Sequence, residues 1–170
     1  QNVFAHFIIL IYILFSKYKK IMQKAILALG CFWGPEEKFH KIKGIASSEV
    51  GYCGGSSPNV TYEEVCSGST NHAEVVKIEF NENTITYEDI IRLFFDSHDA
   101  TQLNGQGLNI GANYRSEIFY TSGDQKKMAE KILNEQNEKF KGMLVTKISK
   151  EKNYCKAEEY HQKYFQKRNR

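Results

Sequence analysis

Apolar and polar positions along the chain switch between the periods of strands and of helices. Residues 24–29 (KAILAL) are an apolar run that predicts a buried strand. Pro35 suits a first helical turn, and Phe39 and Ile42, three apart, give that helix an apolar stripe which Gly44 stops. A second strand is predicted over 45–52. Gly51-Tyr52-Cys53-Gly54-Gly55-Ser56-Ser57-Pro58 then reads as a flexible, glycine-rich loop. Thr61-Tyr62-Glu63-Glu64 has capping-box spacing and opens a short helical turn ending near Gly68.

The rest of the chain continues the alternation. A strand is predicted over 73–80, and Thr86-Tyr87-Glu88-Asp89 starts a helix whose Tyr87, Ile90, Ile91, Phe94 and Phe95 recur at helical spacing. Residues 98–114 lack periodicity and hold Gly105, Gly107 and Gly111; a loop of this length is either functional or disordered. A strand over 117–121 follows, then a helix capped at Ser122-Gly123-Asp124-Gln125 with core face Met128, Ile132 and Leu133. A last strand over 144–149 and a short tail helix over 158–165 complete the pattern. No internal repeat or domain boundary is visible. The expected fold is α+β: a single-domain two-layer sandwich with a mixed sheet, a ferredoxin-like core and long irregular loops.

Residues 3–15 are almost wholly apolar and are followed by Lys17, Lys19 and Lys20. The run is short for a bilayer span, no basic residue precedes it, and no small-residue cleavage site follows. Met22 stands just ahead of the first convincing strand. The expectation is therefore that residues 1–21 are extraneous or disordered and that 22–170 form the functional domain. A membrane tether through residues 3–15 is the lesser alternative.

Composition narrows the class. With 41% hydrophobic and 25% charged residues, the 170-residue chain falls among soluble globular domains. A net charge of +3 does not argue for nucleic acid, and Lys163, Lys167, Arg168 and Arg170 read as a solvated tail. Cys31, Cys53, Cys66 and Cys155 show no C-x-x-C spacing and no paired histidines, so no metal site is expected. Nor do they suggest a disulfide framework. A reduced, cytoplasmic monomer with one or more redox-active thiols fits better.

Cys31 lies in Gly30-Cys31-Phe32-Trp33-Gly34-Pro35-Glu36-Glu37, where strand gives way to helix. A thiol at a helix start meets unpaired N–H groups and the positive dipole end, which favour thiolate; Glu36 and Glu37 partly oppose this. The alternative is a small buried hydrophobe, and position alone does not choose. Glu74 shares a strand face with Val76, Ile78 and Phe80. It is thus either a carboxyl whose pKa burial raises, available as a general acid, or a glutamate reaching water from the strand's end. His72 reads as a supporting hydrogen-bonding residue. Tyr62 and Tyr114 stand in loops or at helix starts. Phe32 and Trp33 either wall an apolar pocket or pack helix on sheet.

Eight blocks occur in order: Gly30-Cys31-Phe32-Trp33-Gly34, Gly51-Tyr52-x-Gly54-Gly55, Tyr62-x-Glu64-Val65-Cys66-Ser67-Gly68, His72-Ala73-Glu74, His98-Asp99, Gln106-Gly107, Tyr114-Arg115-Ser116 and Ala157-Glu158-x-Tyr160-His161-Gln162. Together, over about residues 22–165, they closely resemble the A-type peptide methionine sulfoxide reductases. The resemblance implies thiol-dependent reduction of the S epimer of methionine sulfoxide, free or in proteins, without metal or organic cofactor. It implies Cys31 as nucleophile, Glu74 as proton donor, Tyr62 and Tyr114 as hydrogen-bond donors to the sulfoxide oxygen, and Phe32 and Trp33 as the seat of the S-methyl group. Cys31 would become a sulfenic acid. An external thiol such as thioredoxin or glutaredoxin would recycle it.

Two departures stand out. Asn109 occupies a substrate-network position where the family usually carries aspartate, and it cannot take a negative charge. The chain also shows no C-terminal cysteine extension after Tyr160-His161-Gln162, which leaves Cys53 and Cys155 as candidate resolving cysteines. Cys53 is the favoured one, because its glycine neighbours would let the loop reach Cys31, and Cys66 reads as structural. A cycle with Cys31 alone is equally open. The rival readings are a different thiol oxidoreductase and a non-catalytic binder of oxidised methionine.

Overall fold

A computed structural model describes His6, Ile11 and residues 22–168; apart from those two positions, the expectation for residues 1–21 lies outside the described residues. Among the described residues there are eight strands: β1 (Met22–Leu29), β2 (Ile45–Cys53), β3 (Ala73–Asn81), β4 (Gly105–Gln106), β5 (Asn109–Ile110), β6 (Ser116–Tyr120), β7 (Lys147–Lys150) and β8 (Cys155–Lys156). From residue 22 on, the helices among the described residues are α1 (Trp33–His40), α2 (Tyr62–Cys66), α3 (Tyr87–Phe95), α4 (Gly123–Lys139) and α5 (Tyr164–Arg168). Six strands form one sheet in the order β7-β6-β1-β3-β2-β8. All neighbours are antiparallel except β6 and β7, so the sheet is mixed as expected. The path β1-α1-β2-β3-α3-β6 over strands ordered β6-β1-β3-β2 is the ferredoxin-like split βαβ arrangement.

Apolar alternation decides the layering. Leu27, Val76, Ile78, Phe80 and Ile118 face one side of the sheet, where Phe39 of α1, Ile90, Ile91 and Phe94 of α3, and Ala129 and Ile132 of α4 cover them. On the other side Ile26, Ala28, Cys53, Ala73, Val75 and Phe119 pack together, with Tyr154 against them. The helix starts read from Thr61 and Thr86 form as full capping boxes, and Ser122 caps α4.

Elements too short for a period escaped sequence reading. Within 98–114 lie the two-residue strands β4 and β5, paired as a hairpin, and a 3₁₀ turn, Ala112–Tyr114. β7 starts only at Lys147 because 144–146 do not join the sheet. The tail helix is confined to Tyr164–Arg168, for 158–163 run as irregular turns tied to the body by side chains. The core face of α4 centres on Ala129 and Ile132, flanked by buried Gln125 and Gln136; Met128 and Leu133 are only partly buried. Among the described residues no helix is long and apolar enough to cross a membrane.

Candidate active site

The turn after β1 delivers the thiol. Gly30 has φ +91°, and a Cβ there would fall 2.6 Å from Gln106 Cβ, so both backbone and space demand glycine. Phe32 is the N-cap of α1 and makes no side-chain cap. Cys31 therefore stands just before the N-cap, two residues ahead of the helix, half-buried, and accepts a hydrogen bond from the Trp33 backbone N–H. That bond lowers its pKa as the sequence suggested. Burial outweighs it and the negative charge of Glu74 adds to burial, so the thiol lies above its ordinary value. The expected net preference for thiolate is thus reversed, because desolvation at this turn is stronger than the pull of the helix start. Glu36 and Glu37 are engaged elsewhere: Glu36 is buried against Lys163 at 3.0 Å, and Glu37 pairs with Lys41 at 2.6 Å.

Glu74 sits on β3 with 2% of its surface exposed, so the sequence expectation of burial holds and the water-reaching alternative falls. Its Oε2 accepts the Phe32 backbone N–H at 3.1 Å. Burial pushes the carboxyl up to about 7, against the pull of that hydrogen bond. The acid is thus poised near neutrality beside the residue that follows the thiol. His72, two residues before it, does not bond to it. Its buried ring lies over Gly55, where a Cβ would come within 2.0 Å of Nδ1.

Two phenols border the acid. Tyr62 is the first residue of α2, and its pKa is raised by a hydrogen bond to Cys66, by burial, and more weakly by the charges of Tyr114 and Glu74. Tyr114 closes the 3₁₀ turn; burial and then the Glu74 charge raise it, with smaller contributions from Cys66 and Cys31. Arg115 anchors this turn, donating to Glu117 Oε2 at 2.5 Å, to the Ala112 carbonyl at 2.8 Å and to the Asn71 carbonyl at 3.2 Å. Phe32 is buried, with ring centroids 5.9 Å from Tyr52 and 5.1 Å from His161. Trp33 is half-exposed and stacks on Tyr164 at 3.8 Å, with the ring planes 5° apart. Cys31, Glu74, Phe32, Trp33, Tyr62 and Tyr114 thus lie in one neighbourhood.

Asn109 lies on the β4–β5 hairpin and lines, with Cys31, Lys38, His98 and Gln106, a hollow of about 300 Å³ on another side of the thiol. His98 is fixed by contacts to the Phe94 carbonyl at 2.8 Å and Ser116 Oγ at 2.7 Å; burial drives its pKa down to about 4, so it is neutral.

The other thiols are placed differently from expectation. Cys53 ends β2 and is fully buried, not part of a mobile loop. It pairs in register with Ala73, whereas Tyr52 pairs with Glu74, so alternation turns Cys53 to the opposite face of the sheet from the acid. Its Sγ donates to the Lys152 carbonyl at 3.4 Å, and burial pushes its pKa up to about 12. These facts count against it as the resolving thiol. Cys155 pairs with Tyr52 across β2 and β8 and shares its face, half-buried against the cluster of Phe32, Val50, Tyr52 and Val65. Cys66, read as structural, is exposed and touches Tyr62. All four cysteines are free. Among the described residues no group of three or more His, Cys, Asp or Glu side chains is placed to hold a metal ion.

Sequence reading gave no role to Glu158 and His161, which nonetheless contact the site; their only signal was the block Ala157-Glu158-x-Tyr160-His161-Gln162. Glu158 accepts the Tyr62 backbone N–H and the Tyr52 hydroxyl, both at 2.8 Å. His161 Nδ1 accepts the Trp33 indole N–H at 3.1 Å.

Comparison with known proteins places this geometry in context. The peptide methionine sulfoxide reductase family matches residues 23–170. A peptide methionine sulfoxide reductase MsrA from Pelagibacter ubique is 57% identical over 147 residues, covering 86% of this chain and all of the relative. Reduced Mxr1 from Saccharomyces cerevisiae superimposes with a TM-score of 0.84 at 36% identity, covering 89% of this chain and 88% of that one. The same yeast protein in complex with Trx2 matches at TM-score 0.62 and 28% identity, over 85% and 86% of the two chains.

Proposed function

Since the chain belongs to the peptide methionine sulfoxide reductase family, we propose that Cys31, Glu74, Tyr62, Tyr114, Phe32 and Trp33 carry its chemistry, the thiol-dependent reduction of methionine S-sulfoxide to methionine. The observation that carries the assignment is Glu74: a buried carboxyl near half-protonation at neutral pH, bonded at 3.1 Å to the residue after the thiol. Cys31 as thiolate attacks the sulfoxide sulfur while Glu74 gives its proton to the oxygen. Tyr62 and Tyr114 hydrogen-bond that oxygen as negative charge grows on it. The hydroxyl then moves from the substrate sulfur to the Cys31 sulfur as the substrate S–O bond and the new S–S bond break, so methionine leaves and the enzyme holds a sulfenic acid. Phe32 and Trp33 seat the methyl group against apolar rings, and Asn109 borders the substrate entrance through its amide.

The sulfenic acid condenses with a thiol, releasing water and forming a disulfide that a second thiol reduces. Thioredoxin is the reductant we assign, supported by the yeast relative seen in complex with Trx2; glutaredoxin chemistry would balance equally. Four free thiols favour a reducing compartment, and we place the protein in the cytoplasm with its catalytic unit in residues 22–170.

The test is dithiothreitol-driven turnover of separated R and S sulfoxides by the full chain. Turnover of S alone, abolished in Cys31→Ser, supports the assignment. Turnover that survives in Cys31→Ser sinks it.

A further inference from the structure

The block Ala157-Glu158-x-Tyr160-His161-Gln162 has no part in the chemistry above, yet it is bonded to β2, to α1 and to α2. Gln162 takes both polar groups of Val50 on β2, accepting its N–H at 3.0 Å and donating to its carbonyl at 2.8 Å. Lys163 holds buried Glu36 of α1 through its backbone N–H at 2.7 Å and its ammonium at 3.0 Å. From this anchored segment Glu158 bonds to Tyr62 and His161 to Trp33, two different residues of the site.

Glu158 acts on the oxygen side. The Tyr62 backbone N–H is an orphan of the first helical turn, and Glu158 Oε1 satisfies it, while Oε2 takes the Tyr52 hydroxyl. Burial disfavours the Glu158 charge, but the hydrogen bonds from its own N–H, Tyr62 and Tyr52 overcome it and hold the carboxyl below its usual range. An ionised, doubly bonded carboxylate therefore fixes the residue whose phenol borders Glu74.

His161 acts on the methyl side. Indole N–H can only donate, so His161 Nδ1 is unprotonated and the hydrogen sits on Nε2. Burial keeps the ring neutral by lowering its pKa, with Glu158 opposing. Its Nε2 is buried without a hydrogen-bond partner among the described residues, so the ring is held by Trp33 and by its packing on Phe32, at 5.1 Å, and Tyr62, at 4.7 Å.

We infer that Glu158 and His161 are separate positioning residues: Glu158 sets Tyr62 against the sulfoxide oxygen, and His161 sets Trp33 against the S-methyl group. The inference rests on the roles given above to Tyr62 and Trp33.

Steady-state kinetics on methionine S-sulfoxide and ethionine S-sulfoxide, with dithiothreitol, separate the two. Glu158→Gln lowers kcat about tenfold with KM nearly unchanged, because the misplaced phenol acts in the transition state. His161→Phe keeps the ring packing but removes the acceptor. It raises KM about tenfold, narrows the preference for methyl over ethyl, and shifts the fluorescence of Trp33, the only tryptophan in the chain. His161→Gln, whose amide oxygen can accept the indole N–H, restores much of all three. Where Glu158→Gln does not fold, Tyr52→Phe removes one of its two donors and moves kcat in the same direction. Equal losses in kcat and KM for both variants, or unchanged fluorescence and methyl preference in His161→Phe, overturn the inference. Persistent turnover in Cys31→Ser would instead overturn the underlying roles.

Discussion

Glu74 and Cys31 are joined through the backbone between them: the Phe32 N–H donates to Glu74 Oε2 at 3.1 Å, and the Trp33 N–H donates to Cys31. The acid and the thiol are thereby held against consecutive amides of one helix start. Burial raises both, and the Glu74 charge raises Cys31 further, so neither ionises independently of the other.

A pH profile follows from that coupling. The productive enzyme holds one proton on the pair, on Glu74, with Cys31 as thiolate. Because Glu74 titrates near 7 and the thiol higher, most singly protonated molecules carry the proton on sulfur, and the productive form is their minor tautomer. The value of kcat/KM therefore rises with pH through about 7 and falls above the thiol's own pKa. In Glu74→Gln the limb near 7 disappears and the rate drops about 10²- to 10³-fold for want of a proton donor. Iodoacetamide alkylation, followed by mass on the Cys31 peptide, should show the thiol midpoint at lower pH in this variant. An unmoved midpoint means the two groups are not coupled.

The same carboxyl weakens the fold at alkaline pH. Its folded pKa of about 7 lies above the unfolded value, so its stabilising contribution is complete at low pH and is lost as pH rises through 7. Glu74→Gln keeps an oxygen for the Phe32 N–H and cannot ionise. It should be more stable than the parent at pH 8 by on the order of 3 kcal/mol and nearly equal to it at pH 4. Urea unfolding at the two pH values checks this, and equal gains at both would show that the gain is unrelated to ionisation.

Legibility in the sequence tracked how local the signal was. The inward glutamate could be read because Glu74, Val76, Ile78 and Phe80 share a face by simple alternation, and burial followed. Capping at Thr61 and Thr86 was legible because a box spans only four residues. The net shift of Cys31 was not, since it depends on how β3 and its acid close over the turn. Cys53 misled because its glycine neighbours suggested a mobile loop, whereas the strand extends through it and pairs with Ala73. The contacts of Glu158 and His161 span 96 and 128 residues of sequence, beyond any periodicity.

Cys53 should be dispensable for recycling. Its sulfur is buried on the far face of the sheet with a pKa pushed up to about 12, so it offers neither access nor thiolate. Mass spectrometry after one equivalent of methionine sulfoxide distinguishes an added oxygen, the sulfenic acid, from a loss of two hydrogens, an internal disulfide. Cys53→Ala should give the same product as the parent chain. If the parent shows the disulfide and the variant shows the added oxygen, Cys53 does reach Cys31, and β2 must open at its end for it to do so.

Asn109 offers a charge test of the hollow it shares with Cys31 and Lys38. Asn109→Asp places a carboxylate on the exposed hairpin at the thiol's border. It should disfavour thiolate and slow Cys31 alkylation at pH 8 about two- to threefold at low salt, since water screens a charge on so exposed a residue. Lys38 offsets part of this by pairing with the new charge. Raising ionic strength should shrink the difference, because added salt screens an exposed charge. A slowing that persists in high salt points instead to a changed hairpin shape, and an unchanged rate with unchanged kcat and KM removes Asn109 from the site.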